Sequence, residues 1–103
     1  MSYINVGQSN FNSEVIASDK RVLLDFWAPR CSHCRIIAPA VENIASENED
    51  IKVAKINIDE EPELAVQFGI RSIPTLVVMD GGEIVTRSVG IKNKKAILKM
   101  LEE

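Results

Sequence analysis

The stretch Arg21-Val22-Leu23-Leu24-Asp25-Phe26-Trp27-Ala28-Pro29-Arg30-Cys31-Ser32-His33-Cys34 runs from one structural element into another. Its first seven residues show no alternation of apolar and polar, which predicts a strand covered by helices on both faces and therefore central in its sheet. From Cys31 to Glu49 the period changes. Ile37, Val41, Ile44 and Ala45, with Ala38 and Ala40 beside them, recur at helical spacing, and Pro39 inside this helix is expected to kink it. Both cysteines thus stand where a buried strand gives way to the start of a long helix.

The flanking segments follow the same alternation. Tyr3 to Val6 predicts a short edge strand. Ser9 or Asn10 is placed to cap a helix carrying Phe11, Val15 and Ile16. Ile51 to Ile58 predicts another strand, and Asp59-Glu60-Glu61-Pro62 opens a short helix that Gly69 closes. Beyond Pro74 the order changes. Thr75 to Met79 and Glu83 to Val89 are strands around the hairpin signal Asp80-Gly81-Gly82, and a last amphipathic helix carries Ile97, Met100 and Leu101. The order βαβαβα followed by ββα requires an α/β fold with a mixed sheet between helices.

The 103 residues fit one domain, residues 1–103, able to bury a core without covalent staples. With 46% hydrophobic and 26% charged residues the composition is that of a globular protein. A net charge of −3 argues against nucleic acid as a partner. The one basic cluster, Lys92, Lys94, Lys95 and Lys99, fits the solvated face of the last helix. No apolar run approaches the roughly 18 residues of a membrane span, so no membrane association is expected. The first residues, Met1-Ser2-Tyr3-Ile4-Asn5-Val6, do not resemble an export signal, and a cytoplasmic location is expected. Thiols are mostly reduced there, so a close cysteine pair points to catalysis or metal binding before a structural bridge.

A thiol at a helix N-terminus faces free backbone N–H groups and the positive end of the helix dipole, both of which favour the thiolate. Cys31 is therefore the expected nucleophile. Cys34, one turn further on the same face, is the expected resolving thiol, which releases the substrate from a mixed disulfide on Cys31. A metal site is the competing reading. It needs about four ligands, whereas only Cys31, Cys34 and His33 are local, and His33 leaves the shared face; no metal is expected. Inert, buried cysteines are the other alternative. Asp25 is an acid in an otherwise apolar strand. Burial would raise its pKa and suit it to proton transfer, while an ion pair with Lys55 on a neighbouring strand would make it structural.

On the Trp27-x-x-x-Cys31-x-x-Cys34 segment, the strand Val22–Trp27, the stretch Val53-Ala54-Lys55-Ile56-Asn57-Ile58-Asp59 and Gly69-Ile70-Arg71-Ser72-Ile73-Pro74-Thr75, the chain resembles the thioredoxin family along nearly its whole length. The resemblance implies the thioredoxin fold, a central mixed five-stranded sheet flanked by four helices. It implies a protein-disulfide reductase without a cofactor other than its own Cys31–Cys34 disulfide. The implied partners are disulfide-containing proteins and a flavin- or ferredoxin-dependent thioredoxin reductase, with the chain itself a monomer. Asp25, with Lys55 modulating it, is then the buried aspartate that serves the resolving cysteine.

Pro74 on its own favours trans, since only about one X–Pro bond in twenty is cis in folded proteins. The resemblance instead implies a cis proline facing the cysteines. It also implies that the backbone of Ile73 pairs with an extended substrate segment, that Gly90 leaves room for that segment, and that Trp27 packs beside the disulfide; a plain turn glycine and a structural tryptophan are the alternatives. The chain departs from the family where Arg30-Cys31-Ser32-His33-Cys34 stands in place of the usual Trp-Cys-Gly-Pro-Cys. Arg30, Ser32 and His33 are therefore expected to tune the redox potential. A histidine before the second cysteine is similar to the oxidising thiol oxidases of the superfamily, so a thiol oxidase or isomerase is the alternative activity, and a non-catalytic binding module is the third.

Overall fold

Residues 22–26 pair on both sides, as apolar residues on both faces of the stretch predict. In the computed structural model, which describes residues 2–103, β2 (Arg21–Trp27) is the middle strand of five. On one side it runs parallel to β3 (Ile51–Asn57), which in turn pairs in parallel with the edge strand β1 (Tyr3–Asn5). On the other side it runs antiparallel to β4 (Thr75–Asp80), and β4 pairs antiparallel with the second edge strand, β5 (Glu83–Val89). The sheet is mixed and five-stranded, in the order β1-β3-β2-β4-β5. Four helical segments connect and cover it: α1 (Asn12–Ile16), α2 (Ser32–Glu47), α3 (Pro62–Gln67) and α4 (Lys94–Met100). The expected α/β order is present throughout.

Alternation along β2 assigns each residue to a layer. Leu23 packs with Val53, Leu76 and Val78 against Ile37, Val41 and Ile44 of α2 and Ile97 and Met100 of α4. Val22, Leu24 and Phe26 face the opposite way, with Val15 of α1 and Leu64 of α3. Leu23, Leu24 and Phe26 have no exposed surface, and full burial of such a side chain contributes about 1.5–3 kcal/mol. Asp25 and Trp27 alternate with Leu23, so they lie on the α2 side. Lys55 alternates with Val53 and is paired in register with Asp25, which puts it on that side too.

Local chemistry sets most of the boundaries. Pro62 occupies the first turn of α3, where its missing N–H costs nothing. Past the end of α3, Gly69 adopts φ 64°, and the Ile70 N–H closes back onto the Ala65 carbonyl. The β4–β5 hairpin turns through Gly81 and Gly82 at φ 59° and 83°, a left-handed pair that side chains rarely adopt. Asn93 caps α4 by accepting the Ala96 N–H at 2.8 Å.

One expected cap is not formed. Asn10 accepts the Gly7 N–H at 2.8 Å and donates its side-chain amide to the Asn5 carbonyl, so its side chain is engaged in the preceding turn. α1 begins after Phe11 without a side-chain cap and is wound as a π-helix, the Ala17 N–H reaching the Asn12 carbonyl.

Candidate active site

Cys31 is the N-cap of α2. Its backbone is extended (φ −94°, ψ 109°), and its Sγ accepts the Cys34 N–H at 3.1 Å. A cap normally uses an oxygen; here a sulfur takes one of the free N–H donors of the first turn. Cys31 and Cys34 form a disulfide with Cα atoms 5.3 Å apart, and the bond has an exposed and a hidden end: Cys31 is half-buried, whereas Cys34 is 4% exposed.

The loop before β4 lies against the exposed sulfur. The Ile73 carbonyl oxygen is 3.7 Å from Cys31 Sγ, and the Ile73–Pro74 peptide is cis. The trans form favoured by statistics alone is not adopted, and the isomer implied by the resemblance is present. The Pro74 carbonyl accepts the Gly90 N–H at 2.8 Å, which draws the end of β5 to the same place. Gly90 has φ 95°, and a Cβ there would meet nothing within 4 Å. Its backbone therefore requires glycine, and the space above it is open.

Behind the disulfide lies a cavity of about 260 Å³ lined by Cys34, Asp25, Trp27, Lys55 and Glu42, among others. Asp25 is 2% exposed and its Oδ1 has no hydrogen-bond partner in the protein. Burial pushes its pKa up to about 6; Lys55 opposes the shift and Glu42 reinforces it. The Lys55 ammonium does not bond to Asp25. It meets Glu42 Oε2 at 2.7 Å and lies 4.5 Å from the centre of the Tyr3 ring. Both expected roles of Lys55 are thus modified by a third charged group. Glu42 escaped the sequence reading, although Cys34, Ala38 and Glu42 fall at i, i+4 and i+8 on one face of α2, and an acid on the stripe that begins with a cysteine is a usable signal.

Replacing Glu42 by Gln removes a charge that raises Asp25 and frees the Lys55 ammonium to act on it. The Asp25 carboxyl should then titrate at lower pH than in the native oxidised protein, as read by NMR of that carboxyl carbon. An unchanged midpoint would show that Glu42 does not act on Asp25.

Arg30, Ser32 and His33 are placed on the outer side. Arg30 and His33 are exposed, and the Arg30 guanidinium pairs with Asp59 at 3.0 Å. This surface pair shares out the positive charge that the sequence places wholly beside Cys31. Trp27 is half-buried at the end of β2, and its indole N–H has no partner in the protein. No cluster of three or more metal-ligating side chains occurs among the described residues. A surface concavity of about 960 Å³ lies between Asn48 and α4, away from the cysteines. Cys31 lines neither this concavity nor the cavity behind the disulfide.

Comparison with known proteins agrees with this geometry. The thioredoxin family model matches residues 2–103. Thioredoxin 1 of Nostoc sp. is 50% identical over 99 residues, covering 95% of this chain and 92% of that protein. A thioredoxin of Chlorobaculum thiosulfatiphilum is 42% identical over 102 residues, covering 98% and 94%. A bifunctional thioredoxin reductase/thioredoxin of Mycobacterium leprae is 44% identical over 101 residues, covering 97% of this chain and 22% of that protein.

Proposed function

The chain belongs to the thioredoxin family and is a thiol-disulfide oxidoreductase acting on protein disulfides, and we propose that it works as a general reductase, with Cys31 as nucleophile and Cys34 as resolving thiol. The observation that carries the assignment is the asymmetry of the pair, one sulfur half-buried at the helix cap and the other enclosed. In the reduced protein the Cys31 thiolate attacks a substrate disulfide, forming a Cys31–substrate bond and expelling one substrate thiolate. Cys34 gives up its proton to Asp25, with which it shares a cavity, and attacks Cys31. The second substrate thiolate leaves, the Cys31–Cys34 bond closes, and two electrons have passed to the substrate, whose thiolates take up two protons.

Lys55 modulates Asp25. Ile73, Pro74, Gly90 and Trp27 form the seat of the substrate segment, and the Ile73 carbonyl beside Cys31 Sγ supports this role. The only redox group required is the disulfide itself. We place the protein in the cytoplasm and assign its recharging to a thioredoxin reductase, flavin- or ferredoxin-dependent; the fused reductase in the Mycobacterium leprae relative's name supports such a partner. A single-domain monomer is the proposed state. The irregular register at Val78/Met79 and the charged Glu83 and Arg87 on β5 support it, since bulges and charges on an edge strand oppose pairing between molecules.

The test is reduction of insulin by dithiothreitol, which the protein should accelerate in catalytic amounts. Failure to do so would leave only a binding role.

The proposed tuning by His33 has its own measurement. A positive charge beside Cys31 stabilises the thiolate, which exists only in the reduced form, and so raises the potential. About 1.4 kcal/mol corresponds to roughly 30 mV for two electrons. His33→Pro should therefore lower the potential by tens of millivolts and raise the Cys31 pKa, read by glutathione equilibration and thiolate absorbance. If neither moves, or the variant becomes more oxidising, His33 does not raise the potential of the pair.

A further inference from the structure

The chain is acidic overall, with net charge −3, yet residues 26–41, 64–79 and 84–101 contain no aspartate or glutamate. Parts of all three segments border Cys31. The first carries Arg30, His33 and Arg35, the second Arg71, and the third Lys92. Each cation is tied to the reactive sulfur by short stretches of backbone. The Arg35 guanidinium donates to the Pro29 carbonyl at 2.6 Å, two residues before Cys31. Arg71 precedes by two residues Ile73, whose carbonyl oxygen is 3.7 Å from Cys31 Sγ. Lys92 follows Gly90 by two residues, and Gly90 is bonded to the Pro74 carbonyl.

Arg30, His33, Arg35 and Arg71 are exposed, and Lys92 is half-buried. Asp59 meets this face from the loop after β3, paired with Arg30, and Glu60 and Glu61 of the same loop lie on the far side of Trp27, in a concavity that also holds Lys55. Interleaved with the cations are the exposed apolar side chains Ile36, Val89 and Ile91. The aromatic residue that the family carries before its first cysteine is here an arginine.

We propose that this face selects disulfides in acidic segments: chain carrying Asp or Glu close to the cysteine that Cys31 attacks, with an apolar residue to cover Ile36 or Ile91. The proposal rests on the reading that protein disulfides are reduced at this face, and adds the class of segment preferred. Exposed charges of one sign raise the rate of encounter with the opposite sign, and salt screens the effect over about 8 Å at physiological ionic strength. The preference is therefore one of association rate. It falls as salt is added, and Arg71 contributes without touching the sulfurs.

The experiment uses two synthetic peptides with the same disulfide loop and the same apolar neighbours, one flanked by Asp and one by Lys. The second-order rate at which each oxidises the reduced protein is measured by thiol labelling, at low and high ionic strength. Each rate is divided by the rate with dithiothreitol, which corrects for the peptide's own reactivity. The Asp-flanked peptide should react about tenfold faster at low salt, and the ratio should shrink towards one at high salt. Arg71→Glu should reduce the ratio while Arg71→Lys keeps it, with insulin reduction, normalised to protein concentration, retained in both. Equal rates for the two peptides, a difference insensitive to salt, or an Arg71→Glu protein with the native ratio would each overturn the proposal and leave the reductase reading intact. Oxidation by neither peptide, together with no insulin reduction, overturns both.

Discussion

Cys34→Ser protein, reduced and mixed with disulfide-bearing proteins, should accumulate covalent adducts through Cys31, whereas Cys31→Ser should capture none. The asymmetry of the site sets this outcome. Cys31 is half-buried at the cap of α2, among free N–H groups that favour its thiolate, and Cys34 is enclosed behind it. Without Cys34 the first exchange still proceeds, but nothing within the protein attacks the mixed disulfide, so turnover falls to background. Mass spectrometry of the adducts decides the matter, because linkage through Cys34 in the Cys31→Ser protein would reverse the two roles.

Asp25→Asn has the next largest consequences, and they oppose one another. The Asp25 pKa is raised from 3.8 to about 6 by burial, so the folded state binds the proton more tightly than the unfolded chain. The stabilising contribution of the neutral acid is complete below the unfolded value. It is lost as pH rises through about 6, and above that the folded protein holds an unfavourable buried carboxylate. The difference between the two pKa values corresponds to something on the order of 3 kcal/mol. Asn has the same shape and no charge. The variant should therefore be more stable than native near pH 7, with the two converging near pH 4, as calorimetry at several pH values would show.

On the proposed mechanism the same substitution removes the base for Cys34. Resolution of the mixed disulfide should slow by roughly 10- to 100-fold near neutral pH, toward the low end of general-base effects because a thiol reacts to some extent unaided. Unchanged turnover with lowered stability would make Asp25 a structural residue only.

The legible parts of this protein are those where one short segment contains its own reason. Val22 to Trp27 has apolar residues on both faces and could only be an interior strand. Asp80-Gly81-Gly82 announces its hairpin because few other residues accept two consecutive left-handed positions. The start of α2 at the cysteine pair follows from the change of hydrophobic period. What escaped depends on partners outside the segment being read. Asn10 looks like a helix cap, but Gly7 and Asn5 claim its side chain first. Glu42 looks like any surface acid of a helix until β3 brings Lys55 against it. The charge of Arg30 looks free until the loop after β3 delivers Asp59, 29 residues away. The isomer at Pro74 has no local signature at all, and only the likeness to a family indicates it.

The sulfur that reacts is also the atom that closes the first turn of α2. A thiolate accepts the Cys34 N–H as a disulfide sulfur does, and more strongly, so reduction gives the helix no cause to unwind. The cap of α2 therefore needs no rearrangement when the disulfide is reduced. Such economy of movement suits thiol-disulfide exchange, since a partner does not have to wait for this cap to change shape.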